Sequence, residues 1–245
     1  LFFTQDKKFS ILALLLFIPP ISVYGTQVFD TYLIPRVIGF PLGLLSLAYF
    51  FEKKYPGDFR ATTDVRYNDL LKCRELITAR PARTNLPHFL TGLGLCSFDF
   101  LLDFGSFRDI HRHRNGVCRM PLLTTRFGFN NWYLEQLPPA LAREARTLIR
   151  EQKLAIASLK ASLELAQYYI AMGFNVSCRV SYGLPATVYV TELRSGKMVH
   201  PTLRRVAHQM NKFLRRKFPL LKLHSDLDPD DWDVRRGKQD IQEKS

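Results

Sequence analysis

Residues Phe104 to Met120 read FGSFRDIHRHRNGVCRM, a span that holds Arg108, His111, Arg112, His113, Arg114 and Arg119 against one acid, Asp109. It follows directly on LCSFDFLLDF, an apolar and partly aromatic run. Like charges at close range repel, and burying even one unpaired charge is costly. A chain with this pattern must either turn the cluster to water or close it around an anion. No other feature limits the fold as tightly, because a segment built for the core has to reach the surface, or a ligand, within a few residues.

The chain has 245 residues, enough for one ordinary domain with a sizeable core, or for a smaller domain plus an appendage. Its formal charge of +13 favours anionic partners: nucleic acid, nucleotides or an acidic membrane surface. Cys73, Cys96, Cys118 and Cys178 are widely spaced with no C-x-x-C pair, which speaks against a structural zinc site or a disulfide framework. Scattered thiols suit a reducing cytosol. His111 and His113 stand two apart, a spacing that points them to opposite sides of a strand, and the adjacent arginines would repel a metal ion. No metal is expected.

Composition divides the chain into residues 1–52, 53–223 and 224–245. Within the first part, residues 9–51 hold two apolar runs, FSILALLLFIPPISVYG and YLIPRVIGFPLGLLSLAYFF, each close to the length that crosses a bilayer. Lys7-Lys8 and Lys53-Lys54 flank the pair, as in a membrane hairpin with both ends in the cytosol. A signal peptide, a buried helical pair and a stretch not native to the protein are the competing readings. The expected location is cytoplasmic, with membrane association if the segment is native.

The second part reads as a folded domain. YPGDFRATTDVRYND is expected as a loop, and NDLLKCRELITA as a helix stopped by Pro81. NLPHFL through the charged cluster predicts a helix, a glycine bend, then helix or strand. MPLLTTRFGFNNWYLEQLPP reads as irregular. After Pro138-Pro139 the spacing predicts one long helix, ALAREARTLIREQKLAIASLKASLELAQYYIAMGF, with Leu141, Ala145, Leu148, Gln152, Ala155, Leu159 and Leu163 on one face. Alternating Val176, Cys178 and Val180 predict a strand. HPTLRRVAHQMNKFLRRKF predicts an amphipathic helix with Pro201 in its first turn and an apolar stripe of Leu203, Val206, Ala207, Met210, Phe213 and Leu214. The tail from His224 is acidic, then basic, and is expected to be partly disordered.

Three functions fit the cluster on the residues alone. It is a solvated basic face, a surface for RNA that also uses the basic helix from Arg204 to Lys217, or a pocket for a phosphorylated aromatic ligand. The RNA reading rests on charge, since no RNP-like strand, KH-type loop or zinc knuckle is present. The pocket reading draws on arginine, whose planar fork pairs with phosphate and never loses its charge.

RHRNGV, with Arg112, His113 and Arg114, resembles the R-H-R-x-x-S hallmark of the flavin-dependent thymidylate synthases. The order of features around it is similar too: His88 in LPHFL, the aromatic run SFDFLLDF, Arg108, and later TELRSGKMVHPTLRRVAHQMNKFLRRKFP. The resemblance covers residues 55–219. It implies a helix-rich α/β (α+β) domain that binds FAD through His88, Arg112, His113 and Arg114 and a nucleotide through Arg194 and Arg204. It also implies methylation of dUMP to dTMP, with methylenetetrahydrofolate and NADPH as co-substrates, in a homo-oligomer, a tetramer. No catalytic residue is assigned. The family's serine is replaced by Val117, and its downstream asparagine, glutamate, serine, arginine and tyrosine fall on Arg119, Met120, Leu122, Thr124 and Thr125. A diverged homologue that binds flavin or nucleotide without that reaction therefore stands beside the synthase reading. An RNA-binding or membrane-attached module is the third.

Overall fold

The structure, a computed structural model, describes residues 59–228. The apolar runs of residues 9–51 and most of the charged tail lie outside the described residues. Among those described, no helix is long and apolar enough to cross a membrane.

The described residues begin with strand β1 (Phe59–Thr63), short helices α1 (Tyr67–Leu71) and α2 (Arg74–Thr78), and a 3₁₀ turn (His88–Leu93). Strand β2 (Leu95–Asp103) leads into α3 (Phe104–Ile110), β3 (Gly116–Arg119) and α4 (Asn131–Glu135). Next come α5 (Pro139–Ser158), α6 (Leu163–Ala166), β4 (Asn175–Gly183), α7 (Leu184–Arg194) and α8 (Pro201–Lys217). The four strands form one sheet in the order β1-β2-β4-β3, and every neighbouring pair is antiparallel. The architecture is α+β; a parallel α/β arrangement does not apply.

Side chains alternate across each strand, so an antiparallel sheet can bury one face and wet the other. On β2 the buried set is Cys96, Phe98, Phe100 and Leu102, and on β4 it is Val176, Cys178, Val180 and Tyr182. The register places Phe98 opposite Val180 and Phe100 opposite Cys178. The other face is polar: Arg179 forms an ion pair with Asp99 directly across the ladder, and the Ser97 and Ser181 hydroxyls meet at 2.7 Å. Helix α8 covers the buried face with the stripe read from its sequence. All six residues are buried, and the Phe213 ring meets Phe98 edge-on at 5.6 Å. Burying a large apolar side chain is worth about 1.5–3 kcal/mol, so the stripe holds α8 in place far more than helix propensity does.

Four expectations are corrected. FRATT is not a loop but edge strand β1, whose alternation had only five residues in which to show itself. The helix expected over residues 68–79 is two short helices, broken at Lys72 and Cys73. The stretch expected to be irregular contains α4, whose N-terminus is capped by the Asn130 side chain accepting from the Trp132 amide at 3.1 Å. The long helix ends at Ser158: Leu159 is extended, and the Ser162 hydroxyl caps a new turn by accepting from the Leu165 amide. Gln167 then accepts from the Leu123 amide at 2.9 Å, a tertiary bond that overrides a strong local propensity. The face that packs on the core is not the one expected: Leu141 and Leu148 are exposed, while Ile149 and Ile156 are half-buried against the core.

Candidate anion-binding site

The charged cluster hangs between α3 and β3. Its geometry begins at Asp103, where the buried strand ends. The Asp103 carboxylate caps α3 by accepting from the Ser106 amide at 2.8 Å and also accepts from the Tyr133 hydroxyl at 3.0 Å. The chain thereby leaves the sheet and carries its cations outward: Arg108, His111, Arg112 and Arg114 are all exposed. Most of the charge is solvated, which answers the cost of burying it.

Beneath those cations lies a cavity of about 430 Å³ lined by Phe104, Phe107, Arg108, His111, Arg112, Cys118 and Met120. Its floor is apolar and aromatic and its rim is cationic. The His111 ring packs on Phe107 at 5.6 Å, and Arg108 reaches the Met172 sulfur at 3.4 Å. Arg112 pairs with Asp109 at 3.3 Å while remaining 64% exposed, so the pair contributes little and is easily exchanged. Arg114 makes no hydrogen bond or ion pair among the described residues. Burial pushes the Cys118 thiol up to about 12, which leaves it protonated and unreactive at neutral pH.

His113 turns inward instead. Its Nε2 accepts from Arg194 Nε at 2.8 Å, and an Arg194 terminal nitrogen donates to the Asp109 carbonyl at 2.7 Å. Tyr189 packs edge-on against the His113 ring at 5.9 Å. Burial, and then the Arg194 charge, lower His113 to about 4, with Asp109 opposing, so the ring is neutral near pH 7 and serves as an acceptor. Arg194 lies in the last turn of α7, where a cation also answers the helix dipole, yet its guanidinium is held by the loop. These bonds tie the loop to α7 across the sheet edge.

A group whose folded pKa is depressed in this way withholds a proton that the unfolded chain binds. Stability therefore falls as pH drops from about 6.5 towards about 4. In His113→Gln, whose amide oxygen can still accept from Arg194, thermal stability measured between pH 7 and pH 4 should fall less steeply than in the wild type. Identical profiles would refute this arrangement of His113.

Two neighbours escaped the sequence reading. Tyr182 is fully buried, and its hydroxyl has no partner among the described residues. Burial and the nearby Cys118 push its phenol upward. Continuing the Val176, Cys178, Val180 alternation by one step would have found it. Gly116 begins β3 against that ring: a Cβ there would sit 2.4 Å from Tyr182 Cδ1 and 2.3 Å from the Ser181 carbonyl oxygen, so only glycine lets the strand close on β4.

The structure brings Arg112, His113, Arg114 and Arg194 into one region and leaves two predicted residues apart from it. His88 starts the 3₁₀ turn, is exposed, and makes no hydrogen bond or ion pair among the described residues. Arg204 is 3% exposed, neither a surface residue of its helix nor open to a ligand. Its Nε donates to the Ser195 carbonyl at 2.7 Å and its guanidinium pairs with Asp226 at 3.1 Å. Its role is to join α8 to the turn after α7 and to the chain end.

Among known proteins, a UPF0159 protein of Chlamydia pneumoniae is 27% identical over 236 residues, covering 91% of this chain and 43% of the relative. The chain is similar to UPF0159 proteins. A second, from Chlamydia muridarum, is 29% identical over 152 residues, 61% of this chain and 28% of its own. A third, from Thermoplasma acidophilum, is 27% identical over 127 residues, 51% of this chain and 25% of its own. The chain thus spans less than half the length of the relatives it matches. No family model matches the sequence.

Proposed function

We propose that the cluster between α3 and β3 is a flavin-binding site and that the protein acts as a thymidylate synthase of the flavin-dependent type. The observation that carries the reading is the 2.8 Å bond from Arg194 to His113. Of the ordered features that carry the resemblance, R-H-R and the later Leu-Arg lie far apart in sequence, and this bond joins them near a cavity lined by aromatic and cationic side chains. Charge alone would have required no such meeting.

The residues present fit FAD in part. Phe104, Phe107 and Met120 offer an apolar contact for a ring, and Arg108 and Arg112, with the exposed Arg114 just outside the lining, offer donors for phosphates or for negative charge on the reduced ring. The cavity is sized for one ring system with a phosphate, and the remainder of a dinucleotide would lie on exposed surface or against a second copy. FAD, when bound, would supply reducing equivalents and carriage of a one-carbon unit. Arg194, oriented by His113 and Asp109, would be the charge that faces the phosphate of dUMP. NADPH and methylenetetrahydrofolate are the co-substrates this reading requires. The same reading includes a homo-oligomer, and α5, with Leu141, Leu148 and Leu154 at least half exposed, offers the surface for it.

The second reading is a diverged homologue that holds flavin without methylating dUMP. Val117 favours it: the residue at the family's serine position is 61% exposed on β3 and brings no hydroxyl to the site. The test is the visible spectrum of the purified protein before and after adding FAD and removing the excess. A retained flavin band supports both readings, and tritium release from C5-labelled dUMP separates them. Folded protein that retains no flavin would refute both.

A further inference from the structure

A second basic concavity lies at the far end of α8 and takes no part in the site above. Lys212, Arg215 and Arg216 line an open groove of about 570 Å³, together with His208, Asn211 and Leu227. Positions i, i+3 and i+4 of a helix are neighbours on its surface, so the three cations share one patch instead of following a line. All three are exposed, and none makes a hydrogen bond or ion pair among the described residues. Arg215 and Arg216 stand in the last helical turn, where positive charge answers the dipole, but Lys212 precedes that turn and has no such explanation.

Among the described residues, no ion pair joins an acid to these three cations. The Asp226 carboxylate pairs with Arg204, and its carbonyl accepts from His208 Nε2 at 3.0 Å, which fixes His208 as a donor at that nitrogen. The independent sign of a ligand is Asn211. Its residue is 1% exposed, its amide nitrogen donates to Ser225 Oγ at 2.7 Å, and its Oδ1 is buried without a partner. A buried polar atom left unsatisfied costs its full desolvation, and native structures keep few of them.

We propose that this groove binds a phosphomonoester dianion, with Lys212, Arg215 and Arg216 on the phosphate oxygens. Convergence of three cations on one patch matches a compact double charge. A phosphodiester chain carries single charges spread along its length and would call for cations in a row. Asn211 Oδ1, an acceptor, would take a hydrogen bond from a hydroxyl or N–H on the esterified group, and Leu227 offers that group an apolar contact. The proposal does not rest on the flavin reading.

The test titrates the full chain with inorganic phosphate, phenyl phosphate and dimethyl phosphate, followed by ³¹P resonance. Saturable binding of the first two is expected, with dimethyl phosphate at least about tenfold weaker and Lys212→Gln/Arg215→Gln/Arg216→Gln weakening binding by at least about tenfold. All three positions are exposed, so circular dichroism should show this variant folded like the wild type. Arg112→Ala/Arg114→Ala should keep the binding. Tighter binding of phenyl phosphate than of phosphate would identify an esterified ligand, and equal binding a free phosphate. The proposal is overturned by absence of saturation, by dimethyl phosphate binding as well as phosphate, or by loss in the Arg112/Arg114 variant alone.

Discussion

Arg112→Ala combined with Arg114→Ala should yield folded protein that no longer retains flavin after excess FAD is removed. Arg114 has no partner among the described residues, and Arg112 has one exposed contact with Asp109, so neither side chain contributes measurably to stability. Their removal should leave the melting temperature nearly unchanged while taking away two charge-assisted contacts, each worth about 1.5–3 kcal/mol. Together these amount to at least a hundredfold in affinity, about 3 kcal/mol or more. Separating the two readouts is what gives the experiment its force. Full flavin occupancy in the double variant would show that these arginines do not hold the cofactor, whatever else the protein binds.

The second large effect concerns stability. The Arg80 side chain is 4% exposed, donates to the carbonyls of Thr84 and Lys222 at 2.7 Å each, and forms a two-point ion pair with Glu192. Glu192 also accepts from the His224 amide at 2.8 Å. One guanidinium thus clamps the segment after α2, helix α7 and the chain beyond α8. Arg80→Ala should cost about 3–5 kcal/mol, because it strands the Glu192 carboxylate in a setting only 14% exposed. For a domain of this size that lowers the melting temperature by on the order of 10 °C. Arg80→Met with Glu192→Leu should recover much of the loss, since two apolar groups leave no charge behind. A loss below about 1 kcal/mol in Arg80→Ala would mean the clamp is not closed in solution.

The sequence showed where periodicity was strong and local. Helix α8 matched its stripe residue for residue, and β4 matched its alternation, because in both a single buried face dictates the pattern. The end of α5 was not legible: Ala, Leu, Glu and Lys continue through it, and the break comes from the Ser162 cap and the Gln167 bond to Leu123, a partner outside the helix. Edge strand β1 was hidden by its brevity. At the site, the cations were plain in the sequence, but their division was not. Nothing in RHRN distinguishes the exposed Arg112 and Arg114 from the inward His113, whose direction is set by Arg194 and Tyr189 on α7. Arg204 misled for the same reason. An arginine in a basic helix reads as surface, and only the Ser195 carbonyl and Asp226 reveal it as buried.

The strand order has a consequence for synthesis. Among the described residues strand β3 pairs only with β4, and His113 meets Arg194 across 81 positions of chain. During translation the cluster leaves the ribosome long before either partner exists, and closing so long a loop must precede any contact that rewards it. A truncated product ending before residue 175 would carry every cation of the R-H-R loop and lack the strand and helix that shape it. On the nascent chain those cations are bare charge beside the ribosome's own RNA. The packed form of the R-H-R loop is therefore among the last features of the domain to come into being.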